Sequence, residues 1–102
     1  MMNPFYTKKI DIYNHESYID ANEINRTGYK LVLSDIPCDI QPIAAEKVEK
    51  IYGYDLSITK QIFLDIVPEL LESSVIRFNS NDYKIEKLIE WDNYLQLGVS
   101  EK

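Results

Sequence analysis

Two residues invite a chemical reading first. His15 stands beside Glu16 and is the single histidine; Cys38 is the single cysteine. A histidine acting as an acid/base group normally works with a second titratable group or a nucleophile. No second histidine and no Ser or Cys nucleophile pattern accompanies His15. Cys38 alternates in register with Ile36 and Ile40, which is the placement of a small buried hydrophobe. One Cys and one His also exclude the common Cys/His zinc frameworks and an internal disulfide. Asp11, Asp35, Asp39 and Asp65 are scattered, without the fixed offsets of a calcium loop. Gly28, Gly53 and Gly98 lie too far apart to form a phosphate-cradling loop. The residues therefore predict no catalytic, cofactor or metal site, and a protein that is not an enzyme.

The remaining oddity is eight tyrosines. Tyr and Trp bring large contact area with few rotors and one polar tip, so they are enriched at interfaces. They also fill ordinary strands, which accounts for Tyr13, Tyr29, Tyr83 and Trp91. Tyr52 and Tyr54 flank Gly53, and for them strand filling and interface contact are equally good readings. An aromatic sheet can also stack bases. That needs a basic groove, and Lys8, Lys9, Lys84 and Lys87 are few and interleaved with acids.

Composition sets the frame for these residues. At 102 residues the chain has room for one domain, spanning 1–102, with 45% hydrophobic and 27% charged residues. The net charge of −6 argues against a protein whose main work is gripping phosphate backbone. No apolar run approaches the roughly 20 residues of a membrane span, and the first residues lack the apolar core of a signal peptide. Cysteine usage suits a reducing site of synthesis.

The elements read as short strands. Lys9 to Tyr13 alternates, with Ile10 and Ile12 on one face. His15 to Thr27 is polar and reads as a long turn or mobile loop. Tyr29 to Ile40 returns to strand character, and Pro37 demands an edge or a bulge there. From Pro42 to Tyr52 the period changes to helical, with Ala44, Val48, Ile51 and Tyr52 on one stripe and Gly53 at its end. So short a helix must dock on something. Lys60 to Val67 is a strand. A connector from Pro68 includes one helical turn through Leu70 and Leu71. Val75 to Phe78, Tyr83 to Trp91 and Tyr94 to Leu97 are strands, with tight turns at Asn79–Asp82 and Asp92–Asn93. Residues 1–7 and 98–102 are expected to fray. About six strands and one short helix suit a small antiparallel barrel or a tight sandwich.

Several segments resemble the small head–tail connector proteins of tailed bacteriophages and prophages. They are Tyr6–Tyr13, Ile36–Ile43, Glu46–Lys47 to Asp55, and Asp82–Ile85 to Ile89–Asp92, in that order over nearly the whole chain. Two turns depart from the family: Glu72-Ser73-Ser74 and Asn79-Ser80-Asn81 lack glycine, although Asn tolerates unusual backbone angles. The resemblance implies a mainly β protein. It would be an antiparallel barrel of about six strands, with the helix in the connection between the second and third strands. It implies a stopper, or head-completion, subunit of the minor capsid proteins. Such a subunit self-associates into a ring below the portal and adaptor, closes the DNA channel after packaging and offers a surface to tail proteins. It would be made in the bacterial cytoplasm and reside at the head–tail junction of the virion, with at most non-specific proximity to packaged DNA and no membrane contact. In that family type the connection between the second and third strands, here Pro42 to Thr59, projects toward the channel. Tyr52, Gly53, Tyr54 and Asp55 are then the expected gate or inter-subunit contact, with Glu46, Glu49 and Asp55 repelling DNA. A tail-terminator connector and an oligonucleotide-binding barrel are the alternatives.

Overall fold

The computed structural model describes residues 6–19, 21–53 and 57–102. It contains β1 (Lys8–Ile19), β2 (Asn25–Pro42), α1 (Ala45–Tyr52), β3 (Lys60–Asp65), β4 (Val75–Phe78), β5 (Asn81–Glu90) and β6 (Tyr94–Glu101). The six strands form a closed barrel in the order β1-β2-β3-β6-β5-β4, with every neighbouring pair antiparallel. The protein is thus mainly β, with its one short helix between the second and third strands, as the sequence predicts.

Alternation places the core. Ile10, Ile12, Cys38, Ile62, Leu64, Ile76, Tyr83, Ile85, Leu95, Leu97 and Val99 point inward and are buried. The strand predicted from Lys60 to Val67 stops at Asp65, and Ile66 beyond it is exposed. The inward side chains fill the interior, and the crevice between Ile40, Lys60, Ile62, Phe78, Tyr83 and Val99 has no room for water. The turn between β4 and β5 is two residues, Asn79 and Ser80, with φ of 51° and 65°. Both positive angles match the right-handed twist of the strands.

The largest difference from expectation lies between His15 and Thr27. The predicted loop is a continuation of β1 and β2, paired from Asn14↔Lys30 to Ile19↔Asn25. Polar strand residues do not alternate in hydropathy when neither face enters a core, so this stretch carries no strand period in its sequence. The kink expected near Pro37 is a pair of bulges in β2. Asp11 stands against both Ser34 and Asp35, and Val32 has no partner between the pairs Ile12↔Leu33 and Tyr13↔Leu31. Asp35 adopts φ 54°, and its N–H donates to Asp11 Oδ1 at 3.0 Å.

Other corrections are smaller. Pro42 ends β2 rather than opening the helix, and Ala44 and Ile51 stay exposed while Val48 and Tyr52 are buried. The Pro68–Ser74 connector makes two turns, Leu70 N–H to Val67 O and Ser74 N–H to Leu71 O, in place of a helical turn. Residues 98–102 do not fray as a segment. β6 pairs through Glu101, Val99 and Ser100 are buried, and Lys102 N–H donates to Asp82 O. At the other end Tyr6 is buried, while residues 1–5 lie outside the described residues.

β6 is buried on both faces. Leu95, Leu97 and Val99 face the barrel interior; Gln96, Gly98 and Ser100 face outward, yet are covered. Over Gly98 lie Ile58 and Tyr52, and a Cβ there would stand 2.4 Å from Ile58 Cδ1 and 3.2 Å from Tyr52 Cε1. Any side chain at this position would have to push Ile58 aside for the helix-bearing connection to sit down. Replacing Gly98 by Ala is expected to cost about 1–3 kcal/mol through overpacking. In an Ile58→Val background, which removes Cδ1, the added cost should be smaller. Urea unfolding of the four chains of the double-mutant cycle measures this, and equal costs in both backgrounds would rule the contact out.

Candidate functional site

Two regions stand outside the barrel wall: the β2–β3 connection and the far half of the β1–β2 hairpin.

The connection carries the residues expected to gate. α1 has no side-chain N-cap, since Ala44 occupies that position, and it offers eight residues. Glu46 in its first turn and Lys50 in its last turn suit the helix dipole and pair at i,i+4. These terms are too small to hold it alone. What holds it is a second apolar cluster of Val48, Tyr52 and Ile58 with Ile43 and Ile89. Gly53 ends it at φ 105°, with its N–H donating to Glu49 O.

Tyr52 is 6% exposed, so its ring belongs to this cluster rather than to the surface. Its hydroxyl sits in a polar chain. Trp91 Nε1–H donates to Gln96 Oε1 at 2.9 Å, Gln96 Nε2–H donates to Tyr52 Oη at 2.9 Å, and Tyr52 O–H donates to Gln61 Oε1 at 3.0 Å. Each outward group beneath the helix is thereby satisfied. Burial raises the Tyr52 phenol above its ordinary value, against a smaller lowering from the Gln96 hydrogen bond. Of the four expected gate residues, Tyr52 is docked on β3 and β6, Gly53 is half-buried, and Tyr54 and Asp55 lie outside the described residues. The Gln61–Gln96–Trp91 chain was not legible beforehand; glutamines spaced along strands carry no signal until two strands are known to be neighbours.

The hairpin is the second region. β1 pairs with β4 only from Asp11 to Tyr13, and β2 pairs with β3 only from Cys38 to Pro42. Beyond those points neither strand pairs with a further strand among the described residues. They form an arm, and the radius of gyration of 14.8 Å exceeds the ~13 Å expected of a compact chain this long. On it Ile19, Ile24, Tyr29 and Leu31 are exposed at 69%, 50%, 47% and 45%. At its base Asn14 Nδ2–H donates to Glu69 O at 2.8 Å, and Ser74 O–H donates to Asn14 Oδ1. Those bonds fasten the Pro68–Ser74 connector to the arm. Lys102 Nζ lies 4.2 Å from the Tyr29 ring centroid, over a cleft bordered also by Glu72, Ser73 and Lys84.

The residues first weighed for chemistry fall apart in space. His15 is exposed on the arm, edge-on to its cross-strand partner Tyr29 at 5.3 Å between ring centroids. Cys38 is fully buried in the barrel, and burial pushes its thiol up to about 12. Asp11 is engaged at the β2 bulge, and Asp39 accepts from Gln41 Nε2. No group of three or more His, Cys, Asp or Glu is placed to hold a metal among the described residues. No described helix is long and apolar enough to cross a membrane.

Comparison with known proteins bears on the fold alone. No family model and no curated protein matches the sequence. The structure is similar to the solution structure of protein SF1141 from Shigella flexneri 2a, with a TM-score of 0.77 at 11% identity, over 98% of this chain and 96% of that chain.

Two measurements check this geometry. Tyr52→Phe leaves Gln61 and Gln96 short of a partner and should cost about 1–3 kcal/mol in chemical unfolding; a neutral result would mean the chain of bonds is not made. The alkaline response follows from the raised groups. Cys38 holds its proton to about 12 in the fold against an ordinary 9.0, so the unfolded chain releases protons first. Stability from this source is complete below pH 9 and falls as pH rises toward 12. The raised Tyr52 adds to the same fall above its ordinary value of 10.0. Cys38→Ala should flatten the fall, and an unchanged slope would overturn the assignment.

Proposed function

We propose that the protein is a structural connector subunit of a tailed phage or prophage, of the stopper type. It acts by building a ring at the head–tail junction rather than by catalysis. The observation that carries the reading is the arm: a closed barrel still presents a two-stranded hairpin with exposed apolar side chains, a surface suited to a neighbour. The order of elements, with a helix-bearing connection between the second and third strands, is also the layout the resemblance implies. The inward rows of the barrel are buried apolar side chains, so in this reading the channel lies between subunits and not through one. Ring closure then requires a head-to-tail contact. Portal or adaptor ring proteins on one side and tail proteins on the other are the partners of this reading. In it the gate contact stays with Tyr52, Gly53, Tyr54 and Asp55, of which Tyr54 and Asp55 lie outside the described residues.

The test is electron microscopy of particles from a phage or inducible prophage lacking this gene. Tail-free heads beside finished free tails are expected, with the heads emptied of DNA. Heads that keep their DNA would favour a tail terminator instead, and normal tailed virions would sink the connector.

One observation favours a second reading, the oligonucleotide-binding barrel. Tyr29, Lys84 and Lys102 border one cleft, a ring with cations beside it. So few cations predict a shallow salt slope for single strands, roughly −0.7 for each phosphate neutralised. Absence of binding at low salt by fluorescence anisotropy ends that reading.

A further inference from the structure

The arm has two open edges, and they face opposite ways. On β1 the unpaired edge runs from Asn14 to Ile19, beyond the ladder to β4. On β2 it begins at Asn25 and is usable to Leu31, because the bulges at Val32 and Ser34–Asp35 break its regular spacing toward the barrel. β5 also runs past its ladder to β4, which spans only Asn81 to Lys84. The arm differs in presenting two open strand edges that face opposite ways, one to accept a strand and one to donate it. An edge pair of this kind is self-complementary only head to tail. The β1 edge of one copy meets the β2 edge of the next, antiparallel, just as the two strands already meet within one hairpin.

Charge selects the register. Among the described side chains of the arm, Glu16 and Lys30 form an exposed ion pair at 3.9 Å, diagonally across a ladder in which their direct partners are Gly28 and Asn14. An antiparallel pairing that sets Glu16 of one copy opposite Lys30 of the next repeats this contact between chains. It also places Ser17 opposite Tyr29 and His15 opposite Leu31, so that the half-exposed Tyr29 and Leu31 gain a covered face. Pairing of two β1 edges or two β2 edges in the same register would oppose like charges, which disfavours the two-fold alternative.

We propose that the arms of neighbouring copies join edge to edge, β1 His15–Ile19 of one copy against β2 Thr27–Leu31 of the next, in the register that pairs Glu16 with Lys30. The occupant of the arm is a second copy of this chain. The proposal deepens the connector reading by naming the subunit contact, and it rests on that reading only for closure of the series into a ring.

The experiment uses purified full-length chain. One preparation carries Ser17→Cys and a second, differently tagged, carries Tyr29→Cys; the fully buried Cys38 does not compete. Each is checked for native circular dichroism and mixed at high concentration under mild oxidation. Heterotypic disulfide dimers well in excess of either homotypic dimer are expected. Predominantly homotypic dimers, or no cross-link at millimolar chain, would overturn the proposal.

A charge exchange gives an independent reading without cysteines. Glu16→Lys alone and Lys30→Glu alone should each raise the concentration needed for self-association, on the order of threefold, as for an exposed ion pair. An equimolar mixture of the two should restore it, because each junction then again opposes unlike charges. A purely intrachain role for the pair cannot be rescued by mixing, so failure of the mixture to recover overturns the register. Both readouts use isolated chain, so their failure is distinguishable from failure of the connector role, which is read on particles.

Discussion

Closure of the sheet through a three-residue ladder, Asp11–Tyr13 of β1 against Val75–Arg77 of β4, is the constraint on which the rest of the structure depends. A six-stranded antiparallel sheet left open would expose two edges along its whole length. Closing it satisfies those edges and creates an interior that Ile10, Ile12, Ile76 and Leu97 fill. Because β4 is only four residues long, closure consumes little of β1. The surplus of β1, together with the stretch of β2 ahead of its β3 ladder, is what becomes the arm. The bulges at Val32 and Ser34–Asp35 sit where β2 passes from barrel to arm, and the Asp35 N–H to Asp11 bond fastens that junction.

The opposite side of the molecule answers a second constraint. β6 lies between β3 and β5 with hydrophobic cover on both faces, an arrangement that ordinarily demands a continuous apolar strand. Here the outer row is Gln96, Gly98 and Ser100. Each is accommodated differently: Gln96 by Trp91 and Tyr52, Gly98 by offering no side chain beneath Ile58, and Ser100 by donating to Glu86. The helix is the lid of this face. Its position is fixed by side chains from three strands and by little of its own propensity. The connection therefore has one rigid, docked part ending at Tyr52–Gly53, and the proposed gate residues Tyr54 and Asp55 follow directly after it in sequence.

Much of this was legible in the chain. Ile10 and Ile12, Ile62 and Leu64, and Val75 to Phe78 announced their strands by period and residue type, and Val48 and Tyr52 announced the buried stripe of α1. The errors share a cause. His15 to Thr27 was read as a loop because a two-stranded arm has no buried face to impress a pattern on its sequence. Residues 98–102 were read as frayed because a terminal stretch with one glycine carries little signal, although Val99 and Ser100 are buried by neighbours distant in the chain. Ala44 and Ile51 fit the helical stripe by period, yet the saddle beneath the helix is narrow and covers only Val48 and Tyr52.

By itself the sequence determined the class of the domain, mainly β with one short helix, and most of the inward-facing residues. Those properties follow from local hydropathy period, which each strand carries in its own residues. The barrel itself follows from strand count and from the resemblance. Tertiary structure alone decided that β1 and β4 make the closing ladder, that β1 and β2 outrun it as an arm with two edges, and that Gly98, Gln96 and Tyr52 meet beneath the helix. Each of these is a relation between segments far apart in the chain, set by strand order, register and bulges, and no local pattern encodes it.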